Sequence, residues 1–159
     1  MDFWTSNKWQ SYYTNIGHRS GIRIICETGV NTEVKRAIHN LVVWLRQNYE
    51  FPMRIHVYVK KTVFVKALDG DLVRDRFFWP HNRSEEPYIT IGTGDYDDLI
   101  KYRNKDDALA TILMAFLENV AHYYQWLNDM DISSPNLKRQ ARLSARRRLN
   151  EYSANIEHL

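Results

Sequence analysis

KDDALATILMAFLENVAHYYQWL, residues Lys105 to Leu127, is the run on which the fold turns. Asn104, just before it, can cap a helix. With successive residues about 100° apart, Leu113, Leu117, Val120, Ala121 and Tyr124 cover one broad side. Ile112, Phe116 and Tyr123 continue around it. A helix apolar over this much of its surface is buried. One stripe is polar: Asp107, Thr111, Glu118, His122 and Gln125, with Asn119 at its edge. Glu118 and His122 are four apart, so their side chains meet on one face. Taken alone, such a stripe is the solvated side of an amphipathic helix, and a Glu/His pair at this spacing signals metal only weakly.

Working outward, Ser134-Pro135 supplies a cap and a first-turn proline for a last helix that ends near Tyr152. Leu137, Ala141, Ala145, Leu149 and Tyr152 fall on one side of it, with Lys138 among them. The other basic residues project elsewhere or lie at the rim. Lys138 is therefore expected to lean inward, where an unpaired ammonium is costly, and Glu118 is its candidate acceptor. The alternative is that Lys138 snorkels outward along its stem.

Upstream, Gly21 to Cys26 (GIRIIC) reads as a strand. Asn31 or Thr32 can cap a helix to about Tyr49, with Val34, Ile38, Leu41 and Leu45 on its buried face. Met53 to Lys60 alternates, Ile55, Val57 and Val59 one way and Arg54, His56 and Tyr58 the other, as a half-buried strand does. Thr62 to Leu68 and Leu72 to Phe78 flank Asp69-Gly70, a hairpin signal. Pro80 to Pro87 is a polar loop. Tyr88 to Gly92 (YITIG) is a strand, followed by a Gly-Thr-Gly turn and a short helix near Asp97 to Tyr102. Strand, helix, several strands, then helices make one α+β domain over residues 1–159: a small mixed sheet packed on an N-terminal helix and two C-terminal helices.

Composition narrows the function. Apolar residues are 44% of the chain, enough for a core, yet no apolar run approaches membrane-spanning length. Met1-Asp2-Phe3-Trp4 lacks the basic-then-apolar order of a signal peptide. With Cys26 the single cysteine, no internal disulfide can form, and a cytoplasmic setting is expected. Residues 132–150 hold Lys138, Arg139, Arg142, Arg146, Arg147 and Arg148 and no acid. That segment contributes +6 against a whole-chain charge of +3, which leaves the remainder at −3. The basicity is local, which argues against nucleic acid as the partner.

Several separated segments together resemble a family of small prokaryotic zincin-like metallopeptidases. In that family a helix carries H-E-x-x-H followed by two aromatics, Gln and Trp. Here the run is Glu118-Asn119-Val120-Ala121-His122, then Tyr123-Tyr124-Gln125-Trp126. The family's third ligand lies in a pattern like E-R-Q-A-x-x-x-A; here it reads Lys138-Arg139-Gln140-Ala141, with Ala145 in place. Glu86 to Tyr96 is similar to the family's edge strand and turn, and Arg46 to Pro52 and Phe77-Phe78 also match.

What the resemblance implies is a zinc site, and the departures dismantle it. The first His position holds Glu118, the general-base position Asn119, and the third-ligand position Lys138; only His122 survives. Asn119 accepts no proton at neutral pH and Lys138 repels a cation. The expectation is a pseudoenzyme without metal or cofactor. It would bind a protein or peptide along an edge strand formed by Tyr88, Ile89, Thr90, Ile91 and Gly92. Two alternatives stand beside it: a rebuilt metal site using Glu118, His122 and an acid such as Asp107 or Asp129, and nucleic-acid binding through Arg139, Arg142, Arg146 and Arg147. His18, His39, His56 and His81 show no ligand spacing, and Cys26, Trp44 and Trp126 read as packing residues.

Overall fold

A computed structural model of the chain describes residues 2–6, 9–10, 20–66, 70, 72–82 and 84–157. Met1, His18, Leu68 and Asp69, on which parts of the sequence reading rest, lie outside them. The first strand, β1 (Ile22–Cys26), leads into helix α1 (Thr32–Asn48) and back to β2 (Ile55–Lys60). The Asn31 side chain accepts from the Glu33 N–H at 2.8 Å and so satisfies one orphan donor of α1. Val34, Ile38, Leu41, Val42 and Leu45 are fully buried, so the expected face of α1 is the one that packs. Because β1 and β2 run parallel, they need this crossover helix between them.

A hairpin follows. β3 (Val65–Lys66) pairs antiparallel with β4 (Leu72–Val73), and Gly70 sits at φ +89°, a backbone region that suits glycine. The run that the sequence assigns wholly to this hairpin divides at Arg74. Its second half is a separate strand, β5 (Asp75–Phe78), which crosses to the main sheet and pairs antiparallel with β6 (Tyr88–Gly92). The sheet order is β1-β2-β6-β5, the first three parallel and the last antiparallel. This corrects one expectation. Tyr88, Ile89, Thr90, Ile91 and Gly92 do not form an edge; they lie inside the sheet, between β2 and β5. The reason is that β5 has its own inward residue, Phe77, to bury opposite Ile89, so it covers the side of β6 that the sequence leaves open.

Gly92 and Gly94 have a role beyond the turn. The backbone at residues 61–63 crosses directly over them: Gly94 N–H donates to the Thr62 carbonyl at 2.9 Å and Thr93 N–H to the Lys60 carbonyl at 3.0 Å. A Cβ on Gly92 would lie 2.4 Å from the Val63 carbonyl oxygen, a contact that backbone cannot yield cheaply. After this crossing come helices α2 (Tyr96–Tyr102), α3 (Lys105–Leu127) and α4 (Pro135–Glu157). The last runs a turn beyond its expected end at Tyr152, since Ser153-Ala154-Asn155 contains neither Gly nor Pro to stop it.

The packing centres on α3, which touches α1, α2, α4, β5 and β6. Phe116, Leu117, Val120, Ala121 and Tyr123 are fully buried. The Tyr123 hydroxyl donates to the Met53 carbonyl at 2.5 Å and accepts from the Met53 N–H at 3.2 Å. The Tyr124 hydroxyl donates to the Glu50 carbonyl at 2.7 Å. Two buried phenols thus fasten the α1–β2 connection onto α3.

Two substitutions test this scaffold by urea unfolding. Tyr123→Phe removes both bonds to Met53 while keeping the ring, and should cost about 1–3 kcal/mol because a buried N–H and carbonyl lose their partner. Gly92→Ala should cost a similar ~1–3 kcal/mol through overpacking against residues 62–63. A value near zero for Gly92→Ala would mean that the crossing is looser than its geometry.

Candidate functional site

The polar stripe of α3 faces β5. It is open at Asp107, half-buried at Thr111, Glu118 and His122, and buried at Asn119 and Gln125. Alternation along β5 sends Asp75 and Phe77 to the helix side and Arg76 and Phe78 to the other. Asp75 therefore meets the stripe. The Asn119 amide donates to the Asp75 carboxylate at 2.9 Å and to the Ala115 carbonyl at 2.8 Å. Both amide protons are engaged, and the group is held as a donor.

His122 is held from the other side. Its Nδ1 lies 2.8 Å from Gln125 Oε1, while Gln125 Nε2 donates to the Leu137 carbonyl at 2.9 Å and to Gln140 Oε1 at 3.2 Å. Since the Gln125 nitrogen is spent on two acceptors, its oxygen must accept, and His122 carries its proton on Nδ1. Burial pushes the imidazole below its ordinary pKa. The bond to Gln125 and the Asp75 charge oppose that shift, and Lys138 adds to it. His122 is neutral at pH 7, with Nε2 as its lone-pair nitrogen.

The carboxyl groups shift the opposite way. Burial raises Asp75, against the pull of Asn119, Arg74 and His122. Burial also raises Glu118, and the neighbouring Asp75 charge adds to it, while Arg142 counteracts. The Glu118 carboxylate lies 3.9 Å from Arg142 Nε.

The expected Glu118–Lys138 ion pair is not formed. Lys138 is exposed, and Arg142, one turn further along α4, stands opposite Glu118 instead. The inward face of α4 consists of Ala141, Ser144, Ala145, Arg148 and Tyr152. Its centre is rotated away from Lys138, whose ammonium reaches water on the flank of the first turn. The buried cation of α4 is Arg148, at 3% exposure. Its guanidinium lies 5.0 Å from the Trp4 ring and 5.2 Å from the Tyr49 ring, and it pairs with Asp2 and Glu151. The helical projection leaves Arg148 among the basic residues that project elsewhere or lie at the rim, because nothing in it foretells that Asp2 and Trp4 fold over α4.

The donor set does not fit zinc. Asn119 offers protons rather than a lone pair, His122 offers one nitrogen, Arg142 faces Glu118, and the Asp75 carboxylate is engaged by the Asn119 amide. Among the described residues, no three His, Cys, Asp or Glu side chains are grouped to hold an ion, so neither Asp107 nor Asp129 completes a rebuilt set. The acid that does join the stripe is Asp75. Its signal in the sequence was an acid at an inward position of the short aromatic run DRFF. Beside it, an open cleft of about 630 Å³ runs between α3 and α4, lined by Asp75, Met114, Glu118 and Leu149, with Arg103 and Arg146 at its rim.

The raised carboxyl of Asp75 gives a pH-dependent expectation. A carboxyl whose folded pKa exceeds its unfolded value favours the fold most below the unfolded value, 3.8, and loses that contribution as pH rises through the folded value. Ionised Asp75 therefore costs stability at pH 7. Asp75→Asn keeps an acceptor for Asn119 and removes the charge. It should be as stable as the parent or more so at pH 7, with the gain vanishing below pH 3.8, as read by denaturant unfolding at both extremes. A loss at pH 7 would show that the ionised carboxylate is net favourable to the fold. No protein-family model, curated protein or solved structure matches this chain.

Proposed function

We propose that this chain is a zincin-like metallopeptidase relative whose catalytic site has been replaced by a self-satisfied polar cluster, and that it binds an extended peptide or protein segment without cutting it. The observation that carries the reading is Asn119. At the position where the resemblance calls for a general base, an amide is locked as a double donor to Asp75 and the Ala115 carbonyl. The group cannot take a proton from water. The Glu118 carboxylate faces Arg142, and His122, oriented by Gln125, is left as a single nitrogen donor.

A peptide would add at β5 rather than at β6. β5 is the edge strand beside α3, and among the described residues it is paired on one side only. An extended segment could add to it by main-chain hydrogen bonds and send alternate side chains into the cleft beside Glu118. Trp79, which follows β5 and stacks on Phe77 with ring centroids 6.1 Å apart, is 43% exposed and lies at the end of this edge.

Metal analysis tests the proposal. The protein dialysed against a weak chelator should retain no stoichiometric zinc. The triple variant Glu118→His, Asn119→Glu, Lys138→Glu should recover it, because it restores the ligands and base that the resemblance implies. Zinc held by the parent protein through His122 would defeat the pseudoenzyme reading. A triple variant that folds but binds zinc no better than the parent would defeat the resemblance itself.

A further inference from the structure

Among the described residues, the helices cover only one face of the sheet. On the other, the register sets two rows across the strands: Arg23, His56, Tyr88 and Phe78, then Ile25, Tyr58, Thr90 and Arg76. Lys60 continues β2 beyond the second row. Three aromatic rings thus stand on three adjacent strands and touch in sequence. Tyr58 and Tyr88 meet edge to face at 5.7 Å, and Tyr88 and Phe78 stack at 4.8 Å; the His56 ring lies parallel to Tyr58 at 6.2 Å. Cations are interleaved with the rings. Arg76 lies 5.4 Å from the Tyr88 ring and donates to its hydroxyl at 3.1 Å, and Lys60 lies 5.8 Å from the Tyr58 ring.

We propose that this open sheet face is a binding platform for single-stranded nucleic acid. The outward positions of the four strands carry Arg23, Lys60 and Arg76 and no acid, because Asp75 points to the helices. Their charge matches a phosphate backbone, and the rings offer π-faces on which bases stack without regard to sequence. The carboxylates nearby come from outside the strands. Glu27 reaches Lys60 at 3.8 Å and Glu86 reaches His56 at 3.9 Å. Contacts this long between partly exposed groups are weak, and a phosphate can replace them. Tyr, Phe and Arg also populate protein interfaces, but a cation beside each of the three rings matches the alternation of phosphates and bases along a single strand more closely. A duplex fits less well, because its bases are already stacked on one another. This surface is distinct from the basic side of α4 that the charge distribution brought forward.

Fluorescence anisotropy with a labelled mixed-sequence 12-nucleotide strand, as DNA and as RNA, tests the proposal on the full chain. The single strand should bind more tightly than the duplex of the same sequence, and the affinity should fall with salt. Tyr58→Ala should weaken binding by ~5- to 150-fold, the loss of one base stack, while Tyr58→Phe should retain it. Arg147→Ala, on α4, should leave it unchanged. Far-ultraviolet circular dichroism of each variant checks that the fold survives; should Tyr58→Ala fail to fold, chemical-shift changes at Tyr58, Tyr88 and Phe78 in the titrated parent protein decide in its place. Absence of binding to either strand at 100-fold protein excess, a preference for the duplex, or a loss confined to Arg147→Ala would overturn the proposal.

Discussion

Burying α3 on nearly all sides is the constraint from which the rest follows. A helix enclosed this way must satisfy every polar atom that it carries inward, and its inward polar side chains reach three parts of the molecule. Tyr123 and Tyr124 hold the α1–β2 connection at Met53 and Glu50, Asn119 holds β5 at Asp75, and Gln125 holds the start of α4 at Leu137. A buried group left without such a partner costs about 1–3 kcal/mol. The bonds therefore fix where the neighbouring elements can lie as well as adding to stability. Apolar packing alone would bring these elements together in several arrangements of similar energy.

The same constraint shapes the candidate site. Two carboxyl groups raised by burial and one imidazole lowered by it lie close together, each nearer neutrality than it would be in water. Desolvation is the leading cause in all three, and the amides of Asn119 and Gln125 provide the hydrogen bonds that the site needs. Metal-centred hydrolysis needs the reverse: free lone pairs converging on one point and a base poised beside them. Here the imidazole presents one lone pair, at Nε2, the base position holds a donor, and the cations that offset Glu118 and border His122 are Arg142 and Lys138, fixed to the chain.

The sheet divides the molecule electrostatically and sterically. Its helix side buries Ile55, Val57, Val59, Ile89 and Ile91. Its other side, with no helix above it among the described residues, keeps rings and cations in contact with water, where a cation beside an aromatic face is stabilised without being buried. The basic charge visible in the linear sequence is concentrated on α4. The charge on the sheet is spread over three strands from separate stretches of chain, so it becomes a surface only when the strands pair.

The amino-acid sequence by itself determined whatever depends on neighbours a few residues away. The α+β class, the Asn31 and Asn104 caps, the burial of Ile55, Val57 and Val59, the extent of α3 and its polar stripe all follow from short-range periodicity and capping chemistry. The tertiary structure decided what depends on rotation and pairing. Strand alternation shows that Tyr88 to Gly92 is half-buried but does not show which strands lie beside it, and the burial of Phe77 made β5 the edge. A helical projection gives angles between residues but not the angle at which the helix meets its partner. The rotation of α4 set Arg142 rather than Lys138 opposite Glu118 and sent Arg148 inward to Asp2. Asp75 joined the site from a strand more than forty residues upstream, a contact that exists only once β5 lies against α3.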